Sequence, residues 1–130
     1  MADLLLGKPV ADAMAADIGA RAKALTASGK QPTLAIVRVG ERPDDLTYER
    51  SAMKRADACG IAVKQFVLPA DASTDDVLAA VAAVNSDDSI HGCLLFRPLP
   101  EGIDEQTVCN ALDPAKDIDG ITRGSLATLL

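Results

Sequence analysis

The sequence predicts an α/β domain of three layers, with a mainly parallel sheet flanked by helices in βαβ units. Three observations predict it. Apolar runs at residues 33–39, 61–68 and 91–96 are bounded by turn residues and read as strands. Between them, apolar residues recur every three to four positions, the period of a helix with one buried face. Strands separated by helices of a dozen or more residues pair in parallel through right-handed crossovers.

In chain order, Val10, Met14, Ile18, Ala22 and Leu25 form the first helical stripe. Pro9 in the first turn and Gly29 just past the end mark its limits. The strand Thr33-Leu34-Ala35-Ile36-Val37-Arg38-Val39 stops at Gly40, and the polar loop Glu41-Arg42-Pro43-Asp44-Asp45 leads into a helix over residues 45–59, closed by Gly60. After the second strand, Ser73 with Asp76 three residues on has the form of a capping box. It opens a helix through Val77, Leu78, Val81 and Val84. The third strand precedes a short last helix over residues 104–112.

Composition narrows the partners. One domain of 130 residues can bury a substantial core. The chain is 48% hydrophobic but 2% aromatic, so that core is built from Ala, Val, Leu and Ile, with Tyr48, Phe66 and Phe96 as its large rings. A net charge of −6, without a basic stripe or stacking aromatics, argues against nucleic acid. Cys59, Cys93 and Cys109 are odd in number and widely spaced, which suggests neither a disulfide framework nor a metal site and suits a reducing cytoplasm. Leu4-Leu5-Leu6 is too short for a signal sequence, and no stretch is long enough to span a membrane. The apolar run Leu126-Ala127-Thr128-Leu129-Leu130 lacks a polar cap, and the expectation is that it continues into a further domain.

Chemistry concentrates at two places. The third strand breaks into the elbow Arg97-Pro98-Leu99-Pro100, because proline has no N–H for the ladder. Ligands in open α/β sheets collect beyond the carboxyl ends of strands, so this elbow is expected at a pocket rim. Arg97 at the strand mouth needs a ligand or a partner, for which Asp117 and Asp119 are the nearby choices; in an extended segment those two carboxylates point the same way. Tyr48, the sole tyrosine, is read either as packing or as a ring that stacks on a flat ligand and offers its hydroxyl. On its helix, Ala52 and Arg55 share its face, whereas Lys54 lies roughly 120° away. His91 is read as structural, and Gly40, without a second glycine at dinucleotide spacing, as a turn.

Together these segments resemble the bifunctional methylenetetrahydrofolate dehydrogenase/methenyltetrahydrofolate cyclohydrolase family, in its amino-terminal catalytic domain. Residues 32–40 are similar to its "P-x-L-A-x-I-x-V-G" strand, Val84-Asn85-Ser86-Asp87 to "L-N-x-D", Arg97-Pro98-Leu99-Pro100 to "Q-L-P-L-P", and Lys116-Asp117-Ile118-Asp119-Gly120 to "K-D-V-D-G". Tyr48 and Gly60 keep the family's distances from Gly40. The resemblance implies a folate-binding catalytic domain over residues 1–120, with residues 121–130 beginning a connection to a Rossmann-type domain that binds NADP or NAD. It also implies a cytoplasmic enzyme, a homodimer at full length, oxidising methylenetetrahydrofolate. Tyr48 and Asp119 would be catalytic, and Asp45, Phe96, Arg97, Pro98 and Leu99 would bind substrate. The alternatives are the substrate domain of another two-domain dehydrogenase and a non-catalytic folate-binding module.

The departures from that pattern matter as much. The family's catalytic lysine, four residues after the tyrosine, is Ala52 here, and Lys54 matches a second lysine instead. Asp45 stands for a serine, Phe96 for the glutamine of the proline elbow and Arg97 for the leucine after it. Residues 121–126 lack the usual Asn-x-Gly. Hydride transfer is driven by the folate's own nitrogen lone pair and depends on positioning, whereas hydrolysis of the methenyl carbon must move protons. The expectation is therefore a retained dehydrogenase with a weakened cyclohydrolase, Asp45 being the better placed replacement base and Arg55 a poor one.

Overall fold

The computed structural model describes residues 2–118, with side chains from residue 12 onward. The order of elements is α1 (Ala2–Ala27), β1 (Thr33–Val39), α2 (Pro43–Ala58), β2 (Ala62–Leu68), α3 (Thr74–Ser86), β3 (Gly92–Leu95), α4 (Glu105–Ala111) and a 3-10 turn at Pro114–Lys116. The strands lie in the order β2-β1-β3, and both pairs are parallel. Register runs from Thr33 opposite Ala62 to Val39 opposite Leu68, and from Leu34 opposite Gly92 to Val37 opposite Leu95.

Period-two alternation divides the central strand between two cores. Ala35, Val37 and Val39 face α3 and α4, where Val77, Val81, Val84, Val108, Cys109 and Leu112 complete a large apolar cluster. Ile36 faces α2 and meets Leu94 and Phe96, with Ala52 and Met53 of α2 packed against them. The sheet is thus the middle of three layers, as the sequence predicts. Ser73 and Asp76 form the reciprocal capping box: the Asp76 N–H donates to Ser73 Oγ at 3.1 Å and the Ser73 N–H to Asp76 Oδ2 at 3.0 Å.

The first helix departs from expectation. It begins at Ala2, not near Pro9, the leucines at positions 4–6 being good helix formers. Its apolar stripe does not face the core either. Ala22 is buried against the end of α2, but Met14, Ile18 and Leu25 are exposed. Helix α2 starts at Pro43, two residues before the expected Asp45, since proline suits the first helical position and Asp44 and Asp45 complement the helix dipole. Gly40 and Gly60 both have positive φ, +80° and +75°, which lets the chain turn sharply at either end of α2.

The segment after α4 is pinned to β3. Lys116 Nζ donates to the carbonyls of Val84 (2.7 Å), Asn85 (3.1 Å) and Asp87 (2.8 Å), capping the carboxyl end of α3. Asn85 Nδ2 donates to the Ala111 carbonyl, and Asn85 Oδ1 accepts from the Asp113 N–H, each at 2.8 Å. Asp117 then bridges to Cys93 in parallel. A side chain at Gly92 would come within 2.9 Å of Ile118, so glycine there allows the close approach. Asn85 and Lys116, prominent in the sequence pattern, are structural ties in this fold.

Candidate functional site

Beyond the carboxyl ends of β1 and β3, the first turns of α2 face the segment leaving β3. A cleft of about 300 Å³ opens between them, lined by Asp44, Asp45, Tyr48, Leu95, Phe96 and Arg97. A second hollow of about 440 Å³ shares Asp44, Asp45 and Arg97 with it and adds Arg42, Pro43 and Pro98. This is the strand-edge position that the sequence predicts for a ligand.

Tyr48 is 58% exposed although it is a large ring, because α2 carries it past the edge of the sheet. Its ring meets that of Phe96 edge-on, with centroids 5.3 Å apart and planes at 81°. The two rings together line the cleft and make a suitable wall for a flat heterocycle. One turn further along, Ala52 packs its methyl group against the Ile36, Leu94 and Phe96 cluster. Lys54 and Arg55 are exposed, and neither lines the cleft.

Asp45 is buried at the foot of the cleft, and its Oδ2 accepts from Arg42 Nε at 3.0 Å, with Arg42 Nη2 also at 3.0 Å. The same Nη2 donates to the Pro98 carbonyl. Beneath α2 lies a second ionic group, almost wholly buried. Arg38 Nε donates to Glu49 Oε2 at 2.6 Å, Arg38 Nη1 to the Gly40 carbonyl, and Gln65 Nε2 to Glu49 Oε1 at 2.5 Å. These bonds tie β1, the Gly40 turn, α2 and β2 together directly under Tyr48. Behind the elbow, burial pushes the Cys109 thiol above its ordinary pKa, and nearby Arg97 offsets part of that rise.

The structure therefore brings Asp45, Tyr48, Phe96 and Arg97 around one cleft, with Pro98 on the adjoining hollow. Leu99 turns the other way: it packs against the α3–α4 core, and its N–H donates to Glu105 Oε1 at 2.8 Å. Asp119 lies outside the described residues. His91 is structural, its Nδ1 accepting from the Thr33 N–H at 3.1 Å. Sequence reasoning missed Arg38, Glu49 and Arg42. An arginine inside an apolar strand is a signal that a buried counter-charge must exist, and Arg38 carried it.

Comparison with known proteins shows the family. The profile of the family described as "Tetrahydrofolate dehydrogenase/cyclohydrolase, catalytic domain" matches residues 5–119. "Bifunctional protein FolD 1" of Desulfitobacterium hafniense is 43% identical over 119 residues, covering 92% of this chain and 42% of that protein. "Bifunctional protein FolD" of Acidiphilium cryptum is 44% identical over 123 residues, covering 95% and 43%. The crystal structure of the bifunctional enzyme FolD, a methylenetetrahydrofolate dehydrogenase/cyclohydrolase from Campylobacter jejuni, superposes with a TM-score of 0.92 at 28% identity, covering 95% of this chain and 44% of that one. The Trypanosoma brucei methylenetetrahydrofolate dehydrogenase-cyclohydrolase, solved with NADP and inhibitor, gives 0.89 at 28% identity, covering 95% and 42%. The chain thus spans less than half the length of the relatives it matches.

Proposed function

The chain belongs to the tetrahydrofolate dehydrogenase/cyclohydrolase family, as its catalytic domain, and from that premise we propose that it forms the folate site of a one-carbon enzyme. The reaction is the NADP- or NAD-dependent oxidation of methylenetetrahydrofolate to methenyltetrahydrofolate. One observation carries the reading: the Tyr48–Phe96 wall stands over a cleft at the carboxyl edge of a parallel sheet, within the family match.

In this reading, Tyr48 lies against the folate and directs its hydroxyl at the one-carbon bridge, while Phe96, Arg97 and Pro98 border it and Leu99 anchors their elbow from the α3–α4 core. Asp119 is the second catalytic group, as the resemblance implies. In the same reading the nicotinamide that accepts the hydride is held by a second domain, and residues 1–130 do not by themselves turn over hydride. The proposal extends to a cytoplasmic, homodimeric full-length enzyme.

Ala52 divides the two half-reactions. Hydride transfer needs the folate held correctly, which a methyl group at position 52 permits. Hydrolysis needs a proton donor and acceptor near the methenyl carbon, and alanine supplies neither; losing such a group costs ~10²–10⁴ in rate. In the full-length protein, hydride transfer should outpace methenyl hydrolysis, and Ala52→Lys should raise hydrolysis alone. Hydrolysis in the unaltered protein as fast as methenyltetrahydrofolate is formed, with no gain from Ala52→Lys, would overturn this division.

A further inference from the structure

The two walls of the cleft belong to segments far apart in sequence. One is the first turn of α2, with Asp45 and Tyr48; the other is the elbow after β3, with Phe96, Arg97 and Pro98. Among the described residues, the polar link between them is Arg42. Its Nε and Nη2 both reach Asp45 Oδ2 at 3.0 Å, and Nη2 also donates to the Pro98 carbonyl. We propose that Arg42 and Asp45 act together as a clamp that fixes the width of the cleft, and that Asp45 is a positioning residue, not the base that replaces the missing lysine.

The chemistry of the pair supports this. A guanidinium offers several donors in a rigid plane, so it can bind a carboxylate and a carbonyl at once, which a lysine cannot do with the same geometry. Asp45 is buried and has little side chain open to the cleft, whereas Arg42 is nearly half exposed and covers it from outside. Both guanidinium nitrogens meet the same oxygen, Oδ2, so the carboxylate is oriented by Arg42 and not by the cleft. A serine at position 45 has a shorter side chain and no charge to hold the arginine. The clamp is therefore tied to the aspartate in this chain. Its consequence is specificity: Arg42 sets how far the Phe96–Pro98 elbow stands from Tyr48, and so the thickness of the flat ligand the cleft accepts.

This inference rests on the folate reading for the ligand but not for the clamp, and its test keeps the two apart. Tyr48 is the sole tyrosine and tryptophan is absent, so the NMR ring signals of Tyr48, shifted by the edge of Phe96, report the wall geometry without any ligand. Arg42→Met, Asp45→Ser and the double variant of the full chain should move those signals by the same amount, because each breaks one unit. Each should also weaken tetrahydrofolate binding about tenfold, the double variant no further. Asp45→Asn keeps an acceptor oxygen for Arg42 but loses the charge and cannot take up a proton, so in both effects it should fall between Asp45→Ser and the unaltered chain. Additive shifts, unchanged Tyr48 signals, or an Asp45→Asn variant as damaged as Asp45→Ser would overturn the clamp. Absence of tetrahydrofolate binding in the unaltered chain would instead overturn the folate reading, and the ring signals would still decide the clamp.

Discussion

The two faces of the sheet are built differently. Toward α3 and α4, thirteen of the described residues form a buried apolar cluster, with polar ties such as those of Lys116 and Asn85 at its margins. Toward α2, among the described residues, the buried apolar cluster is Ile36, Leu94 and Phe96 with Ala52 and Met53 packed on it, and ionic groups add to it: Arg38–Glu49–Gln65 beneath the helix and Arg42–Asp45 at its start. The apolar face is stabilised by non-directional burial. The polar face is fixed by hydrogen bonds of defined direction, which set where a helix sits as well as that it sits there. The cleft lies on the second face. A site that must hold Tyr48 in place gains more from directed bonds than from additional apolar area.

The largest expected effect comes from breaking the ionic face. Arg38→Met leaves Glu49 buried beside Gln65 with no cation, and should cost about 3–5 kcal/mol in denaturant unfolding. Adding Glu49→Leu should restore most of it, since an apolar pair removes the stranded charge. A loss below that of an ordinary surface change would mean the pair does not hold α2. On the apolar face, Leu112→Ala should cost ~2–5 kcal/mol by leaving a cavity. The comparison sharpens on a second readout: Arg38→Met should shift the Tyr48 ring signals, and Leu112→Ala should not.

Smaller effects follow at the margins. Lys116→Met strands three carbonyls at the end of α3 and should cost about 1–3 kcal/mol, with faster hydrogen exchange around residues 84–87. The smallest effects are pH-dependent and have opposite signs. Hydrogen bonds from Ser89, with Lys64, hold the Asp87 carboxyl well below the usual carboxylate range. Because its folded pKa is depressed, its contribution is present above the unfolded value of about 4 and disappears as pH falls below it. Cys109 is raised by burial, so its contribution is complete below the ordinary thiol value of 9.0 and is lost as pH climbs through the folded pKa. Asp87→Asn should flatten the acid limb of stability and Cys109→Ala the alkaline limb.

Much of this fold was legible because its signals are local. The strands at 33–39, 61–68 and 91–96 match β1, β2 and β3 to within a residue or two, and the Ser73–Asp76 box is present as written. The start of α1 was not legible, because Pro9 signals a helix start only when no good helix former precedes it. Nor was the exposure of Met14, Ile18 and Leu25, since periodicity shows that a stripe exists and not what covers it. In the site, the strand-edge rule and motif spacing brought out Tyr48, Phe96 and Arg97. The Tyr48–Phe96 contact and the Arg42 link join segments distant in sequence, and no local pattern encodes such pairs. Arg38 was visible as an oddity in β1, but its partner Glu49 became evident only once α2 was laid across the sheet.

The central claim is that the α2 face, at its junction with the β3 elbow, is where folate binds. The direct measurement is a titration of the ¹⁵N-labelled chain with tetrahydrofolate, followed residue by residue in NMR. The account predicts perturbations at residues 44–48 and 95–98, together with the Tyr48 ring, while α3 and α4 stay unchanged. Perturbations confined to the α3–α4 face, or none at the Tyr48 ring while the ligand binds, would contradict it.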